Sequence, residues 1–415
     1  MTDTEQKKAA ETFVKNWAGT DSNLRGNEKQ DTQQVWTSLL QRRYALKKSE
    51  DEIELGKLKE NKKERDSSIE LVRTISMMMV VILHYNDGKA FLAVVPGTEN
   101  WYILYFLESF SICAVDAFLL ISAYFLSCNN QRKLSKVVEL LIEITLLSEG
   151  SYVFFCFFGD SVFQWKEFLC NLIPHNYYVV LYVVVYLVSP YANMLIQTLK
   201  ERNELNKWML LVFMLFSIYP IFIDVFEEVV GKEIMGLSTV AAWGNQQGFT
   251  FINFMLVYFV GAYVRVNEPT IQKIKGSILA FAWMLDIVLI FIWAMLGENV
   301  VRHGLRSAWC YHNPLVILEA VLFFTTVKRV KIKSKLINTV GKATFMGYLI
   351  HAWILMGMPI QEYVSGSTWK MLLSIAGIEA VVIFAAVAAQ AVYGKITEPI
   401  FNRTIRKIKA LNGEN

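Results

Sequence analysis

From Ile69 onward the chain runs as ten apolar stretches separated by short charged breaks. They cover about 69–90, 101–127, 137–158, 177–196, 207–227, 249–265, 277–296, 313–327, 343–360 and 370–393. A helix needs ~20 apolar residues to cross the hydrocarbon core of a bilayer, where every backbone polar group must be satisfied within the segment. The pattern therefore predicts an all-α, polytopic integral membrane bundle of about ten transmembrane helices. The eighth stretch is short at its apolar core, and the first is interrupted by Arg73. Composition agrees, with 54% hydrophobic and 19% charged residues, against ~25% charged in an ordinary soluble domain.

Residues 1–64 are of another kind and read as a soluble helical leader and charged linker ahead of a membrane domain over 65–415. Residues 1–20 hold no apolar core of a secretory signal. Residues 3–17 fit an amphipathic helix, with Ala9, Phe13 and Trp17 at i, i+4 and i+8. A second fits 32–46, with Val35, Trp36, Leu39 and Leu40 on it. The linker "KKSEDEIELGKLKENKKER" follows.

Loop charge sets an expected orientation. With the leader in the cytoplasm, the inside loops 128–136, 197–207, 265–275 and 328–342 carry fifteen Lys or Arg, and the outside loops at most six. The positive-inside rule then puts both termini in the cytoplasm of a plasma-membrane protein. The net charge of +4 follows from these loops and gives no reason to expect a nucleic acid; membrane lipids are the expected surroundings. Five cysteines show no CxxC pair and no metal-ligand spacing, so no metal is expected from them. A disulfide between Cys170 and Cys310 and scattered thiols are both compatible with the sequence. No H-E-x-x-H, Gly-rich phosphate loop or G-x-S-x-G elbow occurs, which argues against a zinc protease, an ATP-driven pump and a serine esterase.

The first stretch carries the chemistry most open to reading. Arg73 and His84 are eleven residues apart, which places them about 20° from each other around a helix and roughly 16 Å apart along it. A charge in a span costs at least ~2.5 kcal/mol and usually faces a polar interior; a snorkelling Arg73 with a structural His84 is the alternative. Glu70, three residues before Arg73, suits an i, i+3 pair that orients the guanidinium or simply neutralises it. Asp116 falls inside the second stretch and needs a partner, either His84 or an acceptor, or else a helix-packing hydrogen bond. Ser122 and Tyr124 suit polar networks better than covalent catalysis. His351 lies mid-span in the ninth stretch. His175, His303 and His312, with Arg302 and Arg306, fall in or beside outside loops, where they could meet a glycan or stay solvated. For Asp286, Glu319 and Glu379 no motif separates catalysis from packing.

Two resemblances follow from particular blocks. "KKAAETFVKNWAG" and "EKQDTQQVWTSLLQ" resemble the start of adenine DNA methyltransferases of the restriction–modification type, over about forty-five residues and with no catalytic motif downstream. From Arg65 to the C-terminus the chain resembles membrane acyltransferases of the acyltransferase-3 type, which modify bacterial surface glycans. The blocks are "RDSSIELVRTISMMMVVILHY", "VDAFLLISAYFLS" with Ala123 where glycine is usual, "YYVVLYVVVYLVSPYANMLI", "VYFVGAYVR" and "ATFMGYLIHAWIL". The family's Arg-x-x-Arg pair is replaced by Lys133-Leu-Ser-Lys136, which keeps the charge but loses the planar fork.

The resemblance implies an O-acyltransferase that binds no cofactor and takes acyl-CoA, expected to be acetyl-CoA, as donor substrate, with a surface or lipid-linked carbohydrate as acceptor. It implies donor binding by Arg73, Lys133 and Lys136, with Arg132 nearby, and a general base at His84, whose imidazole suits the working pH. It also raises His351 to a candidate. The alternatives are an exporter of lipid-linked or polymeric glycan, or a membrane sensor module, neither with acyl chemistry.

Overall fold

The computed structural model describes residues 65–158, 162–173, 176–232, 247–300 and 306–412, with side chains only up to 395. The chain divides between Arg65 and Asp66. The expected leader helices and the methyltransferase-like blocks lie outside the described residues, as do His175, Arg302, His303 and the side chain of Arg306. Among the described residues there is no strand.

Eleven longer helices carry the fold: α1 Ser67–Tyr85, α2 Glu99–Ser111, α3 Ala114–Leu126, α4 Leu134–Phe158 and α5 Tyr177–Glu201; then α6 Leu205–Val230, α7 Phe251–Val266, α8 Gly276–Val300, α9 Pro314–Val327, α10 Lys335–Met356 and α11 Thr368–Asn412. Helices α2 and α3 form one span, Glu99–Leu126, broken by a turn at Ile112 and Cys113. Every apolar stretch read from the sequence is thus helical. Seven of the described helices are long and apolar enough to cross a membrane, fewer than the ten expected. The other three stretches are α4, which carries Lys136, Glu139, Glu143 and Glu149; α7, of 16 residues; and α10. At 1.5 Å per residue α7 is ~24 Å long, short of the ~30 Å hydrocarbon core.

Helix starts follow from caps legible in the sequence. Asp66 Oδ1 accepts from Ser68 N at 3.0 Å, and Asn313 Oδ1 from Leu315 N at 2.9 Å ahead of Pro314, each satisfying an amide the first turn leaves over. The first stretch ends as a helix at Tyr85 and continues as a π-helical turn, Asn86–Ala90.

Burial sorts the spans. In Glu99–Leu126 and Ser307–Val327 72% of the apolar window is buried, against 28% in Gly276–Gly297 and Thr368–Lys395. The second pair, α8 and α11, turns Phe281, Leu373 and Phe384 outward, as a lipid-facing helix must.

Helices α1 and α10 lie side by side and parallel. Ser334 N donates to Ser67 Oγ at 3.1 Å at one end, and Lys89 Nζ donates to the carbonyls of Leu355 and Met356 at 3.0 and 2.9 Å at the other. Gly341 makes the approach possible: a Cβ there would fall 2.5 Å from Glu70 Cβ. Small residues serve the same purpose between α3 and α7, where a Cβ on Gly261 would lie 2.7 Å from Ala123 Cβ. Ala123, standing where the family usually has glycine, fits because Gly261 faces it.

The two cysteines considered for a disulfide are not bonded. Cys170 is exposed and Cys310 buried.

Candidate functional site

The close pairing of α1 with α10 brings His84 and His351 together near the Lys89 end. Their rings meet edge to face, with centroids 4.6 Å apart and planes at 79°. His84 Nδ1 lies 3.0 Å from Val80 O, and His351 Nδ1 2.6 Å from Tyr348 O. A carbonyl oxygen only accepts, so in each neutral ring Nδ1 carries the hydrogen and Nε2 the lone pair. His351 is buried, and its Nε2 has no hydrogen-bond partner. His84 is the exposed member of the pair.

Toward the Ser67 end of α1, Arg73 Nη1 donates to Glu70 Oε1 at 2.9 Å. The carboxylate is buried against Gly341 and the guanidinium is half-exposed, so Glu70 holds one edge of Arg73 while leaving the rest available. This is the i, i+3 geometry the spacing allows.

A ladder of tyrosines on α5 runs between these two regions. Tyr178, Tyr182 and Tyr186 follow one another at i, i+4 and i+8, with centroids 6.4 Å apart at each step. Tyr178 packs against Tyr348 at 5.5 Å, and Tyr348 against His351 at 5.8 Å. The Tyr182 hydroxyl lies against Ser122 within the electrostatic reach of Arg73 and Arg132. Tyr186 OH accepts from Lys133 N at 2.9 Å.

Asp116 is not joined to His84 by a hydrogen bond. It is buried, and its Oδ2 has no hydrogen-bond partner. Ser122 Oγ donates to Phe118 O at 3.0 Å, a back-bond within its own helix.

The cations beyond α3 divide by role. Pro190 lacks an amide hydrogen, so the Tyr186 carbonyl loses its helical donor. Ser189 Oγ supplies one at 2.7 Å and Arg132 Nε another at 3.2 Å. Nε also donates to Ser189 Oγ at 2.7 Å, and the other guanidinium nitrogens bond Leu126 O, Asn129 O and Gln131 O. Its guanidinium also lies 5.4 Å from the Tyr186 ring centre, and these contacts make it a structural brace. Lys133 is exposed, and Lys136 pairs with Glu139 at 3.1 Å.

A second cluster gathers at the same end from three helices and a loop. The Tyr124 hydroxyl bonds Arg265 Nη1, Lys328 Nζ and Glu268 Oε2. Arg265 Nη1 also bonds Glu268 Oε2, at 2.7 Å, and Lys328 Nζ bonds Glu268 Oε1. Both cations lie over the Tyr124 ring, at 4.6 and 4.2 Å from its centre. Tyr124, Glu268 and Lys328 of the cluster line an open cleft of ≈ 570 Å³ together with Arg329 and Lys331.

Residues 66–391 match the acyltransferase-domain family of the acyltransferase-3 type. The chain belongs to this family. No curated protein sequence and no solved structure matches it significantly. The protein is therefore a multi-pass membrane acyltransferase, and its matched region holds every site residue described above.

Some residues of the acyltransferase differ from what the sequence suggested. His312, expected as a glycan contact or a solvated loop residue, is buried, with Nε2 2.7 Å from Asp224 Oδ2. Asp286, Glu319 and Glu379, for which the sequence makes no choice between catalysis and packing, are all buried, as their place in the spans implies. The Tyr124–Arg265–Glu268–Lys328 cluster was missed. Its traces in the sequence are Tyr124, which suits a polar network, the i, i+3 spacing of Arg265 and Glu268, and the basic run that opens with Lys328.

Proposed function

We propose that this acyltransferase moves an acyl group, acetyl in the simplest case, from a cytoplasmic acyl-CoA to a hydroxyl of a cell-surface carbohydrate. In this reading both termini are cytoplasmic, the Ser67 end of α1 faces the cytoplasm, and the Lys89 end faces outward. The single observation that carries it is the His84–His351 pair, in which each Nδ1 is anchored on a carbonyl and each Nε2 is left as the basic atom.

His84 Nε2 takes the proton from the acceptor hydroxyl as its oxygen attacks the thioester carbonyl. Collapse of the tetrahedral adduct breaks the C–S bond, and the imidazolium returns the proton to the departing thiolate. His351, its Nε2 buried without a partner, hydrogen-bonds the acceptor; Asp116 accepts from a second sugar hydroxyl. Arg73, Lys133 and Lys136 engage the donor phosphates, and the pantetheine arm follows the tyrosine ladder toward His84. That route is supported by the ~16 Å that separates Arg73 from His84 along the helix and by the apolar, hydroxyl-edged faces of Tyr178 and Tyr182.

Labelled acetyl-CoA supplied to the cytoplasmic face of membrane vesicles tests the reading, followed by mass spectrometry of the glycan. Label on carbohydrate oxygen supports it. Unlabelled glycan whose amount on the far side depends on the protein supports the exporter alternative.

A further inference from the structure

The fold holds a second constellation, on neither the donor nor the acceptor route. Asp224 on α6, Cys310 and His312 are all buried, and one ligand atom from each lies within 4.8 Å of the others. They come from segments 86 residues apart, which is why no spacing motif announces them. We propose that these three side chains form a divalent transition-metal site, suited to zinc, that ties α6 to the loop preceding α9.

The local backbone is built to hold them. Helix α6 contains a π-helical turn, Met214–Ile218, a device frequent at functional sites. Within it Ser217 Oγ donates to the carbonyl of His312 at 2.7 Å, and Asp224 follows seven residues, about two turns, later on the same helix. The loop is fixed from its other side as well. Asn313 Nδ2 donates to Ser307 O at 2.9 Å, and Tyr311 N to Gln247 O at 2.9 Å. Gly248 lets that loop close: a Cβ there would fall 2.8 Å from His312 N. The ligands are thus held on a rigid frame.

The arrangement of donor atoms points to a ligand. His312 is buried, and its Nε2 faces Asp224 Oδ2 at 2.7 Å with Cys310 beside them. Nε2, the carboxylate oxygen and the thiol are the atoms that an ion between the three side chains would take, with Nδ1 keeping the hydrogen of the neutral ring. Zinc–ligand bonds of ~2.0–2.3 Å put tetrahedral donor atoms about 3.5 Å apart, so modest side-chain rotation closes the cluster around an ion.

Donor chemistry selects the metal class. A thiol, an imidazole and a carboxylate suit zinc, whereas calcium and magnesium want oxygen throughout. On binding, the Cys310 thiol gives its proton to solvent while the carboxylate and the neutral imidazole each contribute a lone pair. Thiolate and carboxylate together balance the dication, so the buried site carries no net charge. Three protein ligands leave a fourth position for water.

The test uses the full chain, purified in detergent through a tag that contains no histidine and without chelators. Zinc content is measured on the unaltered protein and on Asp224→Asn, His312→Ala and Cys310→Ser, with Cys170→Ser as control. The expected result is one zinc per chain, retained in Cys170→Ser and lost in the other three. Because those variants could fail to fold, the deciding measurement is made on the unaltered chain after exchange into cobalt(II). A tetrahedral spectrum with a sulfur-to-cobalt charge-transfer band supports the site. A cobalt spectrum without that band, or zinc retained equally by the folded His312→Ala and Cys310→Ser proteins, overturns it.

Discussion

His84 and His351, 267 residues apart in the chain, meet edge to face with ring centroids 4.6 Å apart, each with Nδ1 turned back onto its own helix. Each helix supplies the carbonyl that fixes its own imidazole, and parallel packing of α1 on α10 sets the distance between the rings. The quality of that packing should therefore control catalysis.

Gly341→Ala tests this dependence. The added Cβ would sit 2.5 Å from both Cβ and Oε2 of Glu70, so α1 and α10 must part or Glu70 must leave Arg73. Overpacking of this kind costs ~1–3 kcal/mol. We expect a lower melting temperature and reduced acyl transfer, while Gly377→Ala, with open space around it, should change neither. Wild-type melting and activity in Gly341→Ala would contradict the packing account.

Orientation is tested by reporter fusions. A reporter after Lys333 is expected to behave as cytoplasmic, and one near Arg302 as external, from the excess of lysine and arginine in the loops assigned to the inside. Both on the same side would mean that the chain does not cross between them.

The leader is expected to be dispensable for the chemistry, because the family match begins at residue 66. Removing residues 1–60 should leave membrane insertion and acyl transfer near normal. Loss of transfer in a truncated protein present at ordinary membrane levels would show that the leader takes part.

Much of this was legible in the sequence, and the rest fails to be for specific reasons. Apolar runs exposed the helices because each is a local pattern of about one membrane thickness. Arg73, Glu70 and His84 could be read together because they share one helix face. The tyrosine ladder had the same kind of signature, Tyr178, Tyr182 and Tyr186 at i, i+4 and i+8, and it becomes meaningful only beside Tyr348 and Ser122. Arg132 shows the opposite case: as a loop cation it is indistinguishable from Lys133 until Pro190 is seen to free the Tyr186 carbonyl. Tyr124, Arg265, Glu268 and Lys328 come from segments up to 204 residues apart, so only the Arg265–Glu268 pair, three residues apart, is joined locally.

That last cluster gives the fold a defined response to acid. Partial burial opposes the Glu268 charge, but hydrogen bonds from Lys328 and Tyr124 and the charges of Lys328 and Arg265 outweigh it, and the carboxyl titrates below its ordinary 4.5. A depressed folded-state value contributes stability above the unfolded value and loses it as pH falls through the folded one. Glu268→Gln should therefore melt lower than wild type at neutral pH, and the difference should shrink below pH ~4.5. Exposure of about a fifth of the side chain keeps the effect small. A difference that does not change between neutral and acid pH would contradict the assignment.

The central claim is that His84 is the general base, and acylation of surface glycans in His84→Ala and His84→Gln strains tests it most directly. Removing a general base typically costs ~10²–10⁴-fold in rate, and glutamine can restore a hydrogen bond but cannot take the proton. Mass spectrometry of the glycans is predicted to show acyl groups with the wild-type protein and almost none with either variant, at equal protein levels in the membrane. Near-normal acylation in the His84→Ala strain would contradict the account.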